Sequence, residues 1–497
     1  MTMKKTNKKL NASITIFLSL SLSIIVSLLF YTLESCHLDA LIARSEGITY
    51  LSLDSLFGQY CLPLFEDYGL FCLNEQGLDL ENEIKKYADY NSRTPSSILK
   101  NNSSFLNLTV DNVDITSIKY LTDDDGDAFV SQICDYVKYM ELATYAQTLC
   151  DNSKISTPEV FTTTEAGSLN MDFNSIDLEK ANSIKAYDKN SDSVNDTIVS
   201  DIVVSEDFKD NASTCIGHII KNGLLSFLVD NPKDVSTQTI KKNILPSVTC
   251  QLTEDGVAES YGYYKDLSET TIEKAYFCEY IYNTFGCYTS PAEDTYLKYP
   301  IEYIINGSDS DDTNLINCCS HIINLRLGCN LVYLFLDEEK YADAKKAAEL
   351  VNVLPIPGAR YIARITILTV WAAAEALLDT RDLLSGKNVP LFKSDENWTL
   401  ELTDLTTFSK NTVSKNKGED GLSYKRYLEL LLATQNNISL YYRTMDLIQM
   451  AICYQYNEDF RLSKCVYSLD VTIQYSLPYL LLSKKTKYKS KGHQRYK

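Results

Sequence analysis

The strongest hydrophobic signal in the chain lies near its N-terminus, where residues 10–33 include no charged side chain. A helix of that length extends about 36 Å, which is enough to cross a bilayer core of roughly 30 Å with some tilt. No other stretch of the sequence is free of charge over a comparable length. The run therefore predicts a single transmembrane helix at residues 10–33.

The helical pattern continues beyond this uncharged run. Apolar residues recur at intervals of three or four between Leu38 and Phe57, and the first proline of the chain is Pro63. The spacing predicts one long helix from about residue 12 to residue 60. Its second half forms a stalk that packs on the folded part of the protein.

The rest of the sequence mixes helical and strand-like patterns. It predicts an α+β fold in which a helix-rich extracellular domain with a small β-sheet follows the long helix. The predicted strands are residues 104–121 (two strands), Lys298–Asn306, Trp398–Asp404 and Cys465–Tyr475. The predicted helices are residues 78–90, 127–150, 211–229, 268–285, 315–336, 338–351, 360–385 and 422–450. Because Arg364, Glu375 and Asp379 interrupt the apolar residues 360–385, we interpret that segment as a buried core helix rather than a second span.

Composition divides the chain into segments, since residues 151–210 are rich in Ser, Thr, Asn and Asp and poor in large apolar residues. The predicted organisation is a cytoplasmic tail (1–9), the transmembrane helix (10–33), a helical extension (34–65), a small α/β segment (66–150), a flexible insertion (151–210), a main helical core with sheet strands (211–483) and a basic disordered tail (484–497).

Four lysines, Lys4, Lys5, Lys8 and Lys9, precede the span, whereas Glu34 and Asp39 follow it. Cytoplasmic flanks of membrane helices carry an excess of Lys and Arg. We therefore expect a single-pass protein of the cell membrane with a cytoplasmic N-terminus and an extracellular domain. A cleaved secretory signal is the alternative, but its apolar run is shorter and ends at small residues.

The chain carries 47 basic and 66 acidic residues, a net charge of −19. Such acidity disfavours nucleic acid as a partner, because the phosphate backbone would be repelled. The C-terminal residues 484–497 are the basic exception. They are either a disordered, solvated end or a segment attracted to anionic lipid head groups or cell-wall polymers. Membrane lipid is the predicted partner because of the uncharged span at residues 10–33.

The residue types that usually hold metals or perform catalysis are poorly arranged. There are fourteen cysteines but no CxxC pair, which favours buried thiols. Cys318, His321 and Cys329 are candidate metal ligands on one helix, and the first two share a face, but no fourth ligand is evident, which favours core packing. Asp123–Asp127 is better interpreted as a helix start than as a calcium loop. No metal and no cofactor are predicted.

No common catalytic motif is present and the chain has only four histidines, which favours a non-enzyme. The alternative hypothesis is an anchored extracellular enzyme or a cell-wall or glycan-binding module. Its best acidic candidates are Asp309, Asp311, Glu375 and Asp379.

Five serines, at positions 13, 19, 21, 23 and 27, lie within the span. Each hydroxyl could bond to its own helix, or the serines could mark a face that packs against other membrane helices. The sequence leaves both interpretations open, and it leaves the oligomeric state open as well.

Several segments resemble an uncharacterised family of clostridial single-span membrane proteins, classed as a domain of unknown function and found with Tad/Flp-type pilus assembly genes. The matching segments include Ala12–Leu20, Leu53–Tyr60, Trp371–Glu375, Gly421–Leu428 and Arg443–Asp446. The resemblance implies an envelope protein with a pseudopilin-like plan, whose partners are pilus components. Prepilin cleavage after Ala12 would place Phe17 where a Glu is usual, which departs from the processing pattern.

Overall fold

The structure is a computed structural model that describes residues 7–93, 106–151, 223–250, 267–293, 295–350, 359–481 and 483–496. All of the predicted insertion except residue 151 lies outside these residues, as does most of the predicted helix 211–229. The described chain forms two compact units, residues 1–133 with 456–497 and residues 134–455.

Helices make up most of the described elements, as the sequence predicted, and one small antiparallel sheet accompanies them. The helices are α1 (Asn7–Phe57), α2 (Leu62–Tyr68), α3 (Leu80–Ser92), α4 (Asp127–Asp151), α5 (Leu224–Leu228), α6 (Pro246–Thr249), α7 (Leu267–Thr284), α8 (Pro300–Asn306), α9 (Asp311–Leu336), α10 (Glu338–Leu350), α11 (Ala359–Leu384), α12 (Tyr424–Thr434) and α13 (Asn437–Gln455). The strands are β1 (Leu73–Asn74), β2 (Thr109–Tyr120), β3 (Cys465–Pro478) and β4 (Lys485–Arg495).

The N-terminal helix α1 has two halves with different surroundings. From Ile14 to Leu33 every residue except Ser21 is exposed. From His37 onward one side of the helix is buried, and Leu41, Leu53 and Leu56 have no exposed surface. The predicted long helix with an apolar first half and a packed second half is therefore confirmed.

The second half of α1 packs on the sheet of the first unit. Strand β3 is central, with β2 on one side and both β1 and β4 on the other, and all pairs are antiparallel. Helices α1 and α3 cover one face of this sheet. Alternate β3 residues point into that core, among them Leu469, Val471, Ile473 and Tyr475.

The prediction of a disordered tail at residues 484–497 is wrong. Residues Lys485–Arg495 form strand β4, which pairs with β3 from Lys485 opposite Pro478 to Arg495 opposite Ser468. The segment alternates in character: Ser490 and Gly492 are buried beneath α1, whereas Lys487, Lys489 and Lys491 are exposed. Because the segment is rich in lysine, its alternation with a period of two residues was not recognised as a strand pattern in the sequence.

The second unit is helical. Helix α9 packs along α11, α10 packs on α11, and α8 contacts α9, α12 and α13. The apolar helix α11 is a core helix, with Trp371, Ala372 and Ala376 almost fully buried.

Other strand predictions also need correction. The segment Lys298–Asn306 was predicted as a strand, but its residues Pro300–Asn306 form helix α8. Pro300 lies in the first turn, and Gly307, in a left-handed conformation, caps the C-terminal end. Residues Trp398–Asp404 contain no strand and lead into a short 3₁₀ helix, Leu402–Thr406.

Two further segments differ in how they are divided. The two strands predicted at 104–121 are one strand, Thr109–Tyr120, with irregular pairing at three points. The helix predicted at 422–450 is interrupted near Asn436, whose side chain accepts a hydrogen bond from Ile438 N.

Candidate functional site

Three described helices are long and apolar enough to cross a membrane by length and composition: Ile14–Phe57, Asp311–Leu336 and Arg360–Leu384. They differ in burial. The most apolar window of the first is 0% buried, whereas the windows of the other two are 28% and 61% buried. The N-terminal helix fits a membrane anchor. The other two pack against each other and carry the charged groups described next.

The two acidic candidates of α11, Glu375 and Asp379, belong to a buried ionic cluster formed by Arg326, Asn330, Glu375, Asp379 and Lys393. Glu375 and Asp379 are spaced by four residues and therefore lie on one face of α11. Arg326 and Asn330 come from α9, which packs on α11, and Lys393 comes from the segment that follows α11. The four charged side chains are at most 2% exposed.

Each carboxylate in this cluster is paired with a cation. Lys393 Nζ contacts Glu375 and lies 2.6 Å from Asp379 Oδ1. Arg326 Nη2 lies 2.9 Å from Asp379 Oδ2, and Asn330 Nδ2 donates to the same oxygen at 3.1 Å. Two cations therefore balance two anions, which is the condition under which charges are tolerated in a protein interior.

The cluster also holds the segment that follows α11. Thr399 N donates to Glu375 Oε1 at 2.9 Å, and Leu400 N donates to Glu375 Oε2 at 3.0 Å. Arg326 Nη1 donates to Pro390 O at 2.9 Å. The backbone amides and carbonyls of this irregular segment find the partners that a strand would otherwise provide.

The electrostatic surroundings shift the pKa values of the two carboxyl groups in opposite directions. Burial raises the pKa of Glu375, and the nearby Lys393 only partly opposes this effect. Burial also acts to raise the pKa of Asp379, but Lys393 and Arg326 together lower it below its ordinary value. Asp379 is therefore the more firmly ionised of the two.

Asp309 and Asp311, the other two acidic candidates, are near in sequence but differ in role. Asp309 is 70% exposed at its side chain and pairs with Lys242. Asp311 is fully buried and accepts hydrogen bonds from Ser236 Oγ at 2.6 Å and from Lys298 N at 3.0 Å. Burial raises the pKa of Asp311.

Glu302 is a buried acid that the sequence analysis did not single out, because it lies in a segment predicted as a strand. Its Oε1 accepts from Tyr288 N at 2.8 Å and from Tyr424 Oη at 3.0 Å, while its Oε2 has no hydrogen-bond partner among the residues that the structure describes. Burial raises its pKa to about 7. The nearby thiols of Cys318 and Cys319 also have pKa values raised by burial.

These groups anchor helices and loops inside the second unit. Within the described ranges, no set of three or more His, Cys, Asp or Glu side chains is arranged to hold a metal ion. Most of the described cysteines are buried or half-buried. Closed charge pairs, such as those of Glu375 and Asp379, fix the positions of neighbouring segments.

A model of a family of unknown function, DUF5702, matches residues 204–477, more than half of the chain. The chain therefore belongs to this uncharacterised family. Comparisons with curated proteins and with solved structures gave no match. The family match covers most of the second unit and strand β3, so it includes the whole ionic cluster.

Proposed function

We propose that this chain is a membrane-anchored extracytoplasmic assembly protein of a Tad/Flp-type pilus system, with the N-terminal helix packed against other membrane helices. The observation that carries the proposal is the division of α1. Residues Ile14–Leu33 are exposed apart from Ser21, and the same helix continues without a break into the core of the first unit. A rigid helix of this kind would fix the folded unit relative to its neighbours in the membrane.

The serines support contact through one face of the span. Ser19, Ser23 and Ser27 are spaced by four residues, so they lie along one side of the helix. Small side chains at this spacing allow membrane helices to approach closely. Ser19 Oγ donates a hydrogen bond to Ile16 O at 2.9 Å. This bond within the helix satisfies the hydroxyl and leaves the surface around Ser19 available for contact with another helix.

The orientation is part of the proposal. The lysines before the span favour a cytoplasmic N-terminus, which puts the folded units outside. The sequence resemblance connects the chain with pilus assembly genes. Glu375 and Asp379, which the alternative enzyme or glycan-binding hypothesis would use, are enclosed and paired with cations. We therefore give them a structural role.

Chemical crosslinking in native membranes tests the proposal. The tagged full chain should recover pilus components after crosslinking, and the double variant Ser23→Leu/Ser27→Leu should recover much less. Leucine keeps the span apolar, so insertion is preserved. The matched control, Leu18→Ile/Ile25→Leu, changes the opposite side of the helix and should behave as the native chain does. Recovery of no pilus component from the native chain would refute the proposal.

A further inference from the structure

The turn between β3 and β4 is attached to α1 at the end of the apolar span. Leu480 N and Leu481 N donate to the two carboxylate oxygens of Glu34 at 2.8 and 3.0 Å. Glu34 is the first charged residue after the uncharged run. If Ile14–Leu33 spans the bilayer, this turn lies at the level of the lipid head groups.

Strand β4 then leads away from that level. Its contacts with α1 move steadily along the helix, from Tyr488 with Glu46 to Gln494 with Asp54. Tyr496, just after the strand, bonds to Phe57 O at 2.8 Å. A strand rises about 3.4 Å per residue, so the residues near Arg495 lie about 30 Å beyond the turn.

The turn combines apolar and basic side chains. Leu481 is 48% exposed, and Tyr479 and Leu480 are half-buried. Lys484 and Lys485 follow and are exposed. Tyr479 N donates to Lys484 O at 3.0 Å, which brings the aromatic and basic ends of the turn together. Aromatic and leucine side chains beside lysines are typical of segments that lie in the membrane interface.

Position along β4 decides which cations would act on the membrane. Lys484 and Lys485 lie at the turn, within the roughly 8 Å over which charges act at physiological salt. Lys487 is partly engaged with Asp111, 3.9 Å away. Lys491 and Arg495 lie about 20 Å or more beyond Lys485, where salt screens them from the head groups.

We propose that the β3–β4 turn, defined by Tyr479, Leu480, Leu481, Lys484 and Lys485, docks on the anionic head-group surface of the membrane that holds α1. The leucines and the tyrosine enter the interface and the two lysines bind lipid phosphates. This second contact fixes the tilt of the first unit on the membrane. The inference depends on the membrane anchor of the proposed function, but not on pilus partners.

Tryptophan fluorescence tests this docking in the full chain reconstituted into vesicles with brominated lipids. In Leu481→Trp, anionic vesicles should quench the added fluorescence, and zwitterionic vesicles should quench it less. Native chain gives the background from Trp371 and Trp398, and Lys491→Trp should show no quenching above it. In the Leu481→Trp background, Lys484→Gln/Lys485→Gln should lower the ratio of docked to undocked turn about thirtyfold, as expected for two lysines at a charged surface.

The matched control is Lys491→Gln/Arg495→Gln, which removes the same charge from the far part of β4 and should leave quenching unchanged. Equal quenching in anionic and zwitterionic vesicles, or an equal loss in the control, would overturn the docking proposal. Release of the native chain from vesicles by an alkaline wash would instead refute the anchor, so the two failures are distinguishable.

Discussion

At the scale of single residues, the buried ionic cluster shows what sequence reasoning reaches and what it misses. The four-residue spacing of Glu375 and Asp379 places both carboxylates on one helix face, which is a local property that the sequence contains. Their partners Arg326 and Lys393 come from other segments and meet them only through packing. A single sequence contains no signal for that pairing, so the ion pairs that enclose these two carboxylates could not be predicted from it.

Loss of one cation from this cluster should destabilise the protein strongly. Lys393→Met preserves the length of the side chain but leaves Glu375 and Asp379 sharing one buried cation. We expect the free energy of unfolding to fall by about 3–5 kcal/mol, as when one partner of a buried ion pair is removed. Urea unfolding of the full chain in detergent measures this.

The control for that change is Lys346→Met. Lys346 is 74% exposed and pairs with Asp343 at 3.0 Å on the surface of α10. Exposed pairs contribute little, so its unfolding curve should stay close to that of the native chain. Equal effects of the two substitutions would contradict the role assigned to the cluster.

Glu302 should make stability depend on pH. Its pKa in the folded state is about 7, above the ordinary value of 4.5, so the folded state retains a proton that the unfolded state has already lost. The free energy of unfolding therefore falls as pH rises from about 5 to 8, by about 3 kcal/mol from this group.

Glu302→Gln isolates that contribution. The amide oxygen can still accept from Tyr288 N and Tyr424 Oη, but the side chain no longer titrates. Asp311 and Asp446, whose pKa values burial also raises, remain in both proteins and cancel in the comparison. Urea unfolding at pH 5 and pH 8 should show a flatter dependence in the variant; identical slopes would refute the assignment.

At the scale of elements, predictability followed the strength and length of the periodic signal. The uninterrupted apolar pattern was sufficient for α1, and the long helices α9 and α11 were also found within a few residues. Helix α8 was mistaken for a strand because Ile301, Tyr303, Ile304 and Ile305 are all buried. Burial on all sides removes the polar positions that distinguish a helical period from alternation.

The packing of α1 on β4 can be tested with two glycines. A Cβ added at Gly492 would lie 2.7 Å from Leu53 Cδ1 and 2.8 Å from Thr49 Cγ2, both fully buried. Gly492→Ala should therefore lower the free energy of unfolding by about 1–3 kcal/mol through overpacking. Thermal or urea unfolding of the first unit within the full chain measures this.

Gly47→Ala, in helix α1, is the matched control. It lies on the exposed side of α1, and nothing is within 4 Å of an added Cβ. Alanine is the better helix former, so this variant should be stabilised by up to about 1 kcal/mol. Destabilisation by Gly47→Ala equal to that by Gly492→Ala would contradict the described packing.

At the scale of the whole molecule, one helix connects two kinds of environment. Ile14–Leu33 is an exposed apolar surface that fits a membrane anchor, and the same helix forms part of the core of the first unit. The acidic character of the chain, with a net charge of −19, suits folded units that remain in solution beside a membrane. The sequence predicted the division of the chain into an apolar N-terminal span and acidic folded units. The position of β4 and its turn next to the span is known only from the structure.

Protease accessibility in cells tests the central claim, an outward-facing protein held by one N-terminal span. The full chain carries one epitope at each end. Protease is added to intact cells in which the external face of the membrane that holds α1 has been made accessible. We expect loss of the C-terminal epitope, with a small N-terminal fragment that contains residues 10–33 left in the membrane. A C-terminal epitope that survives until the membranes are broken would contradict the account.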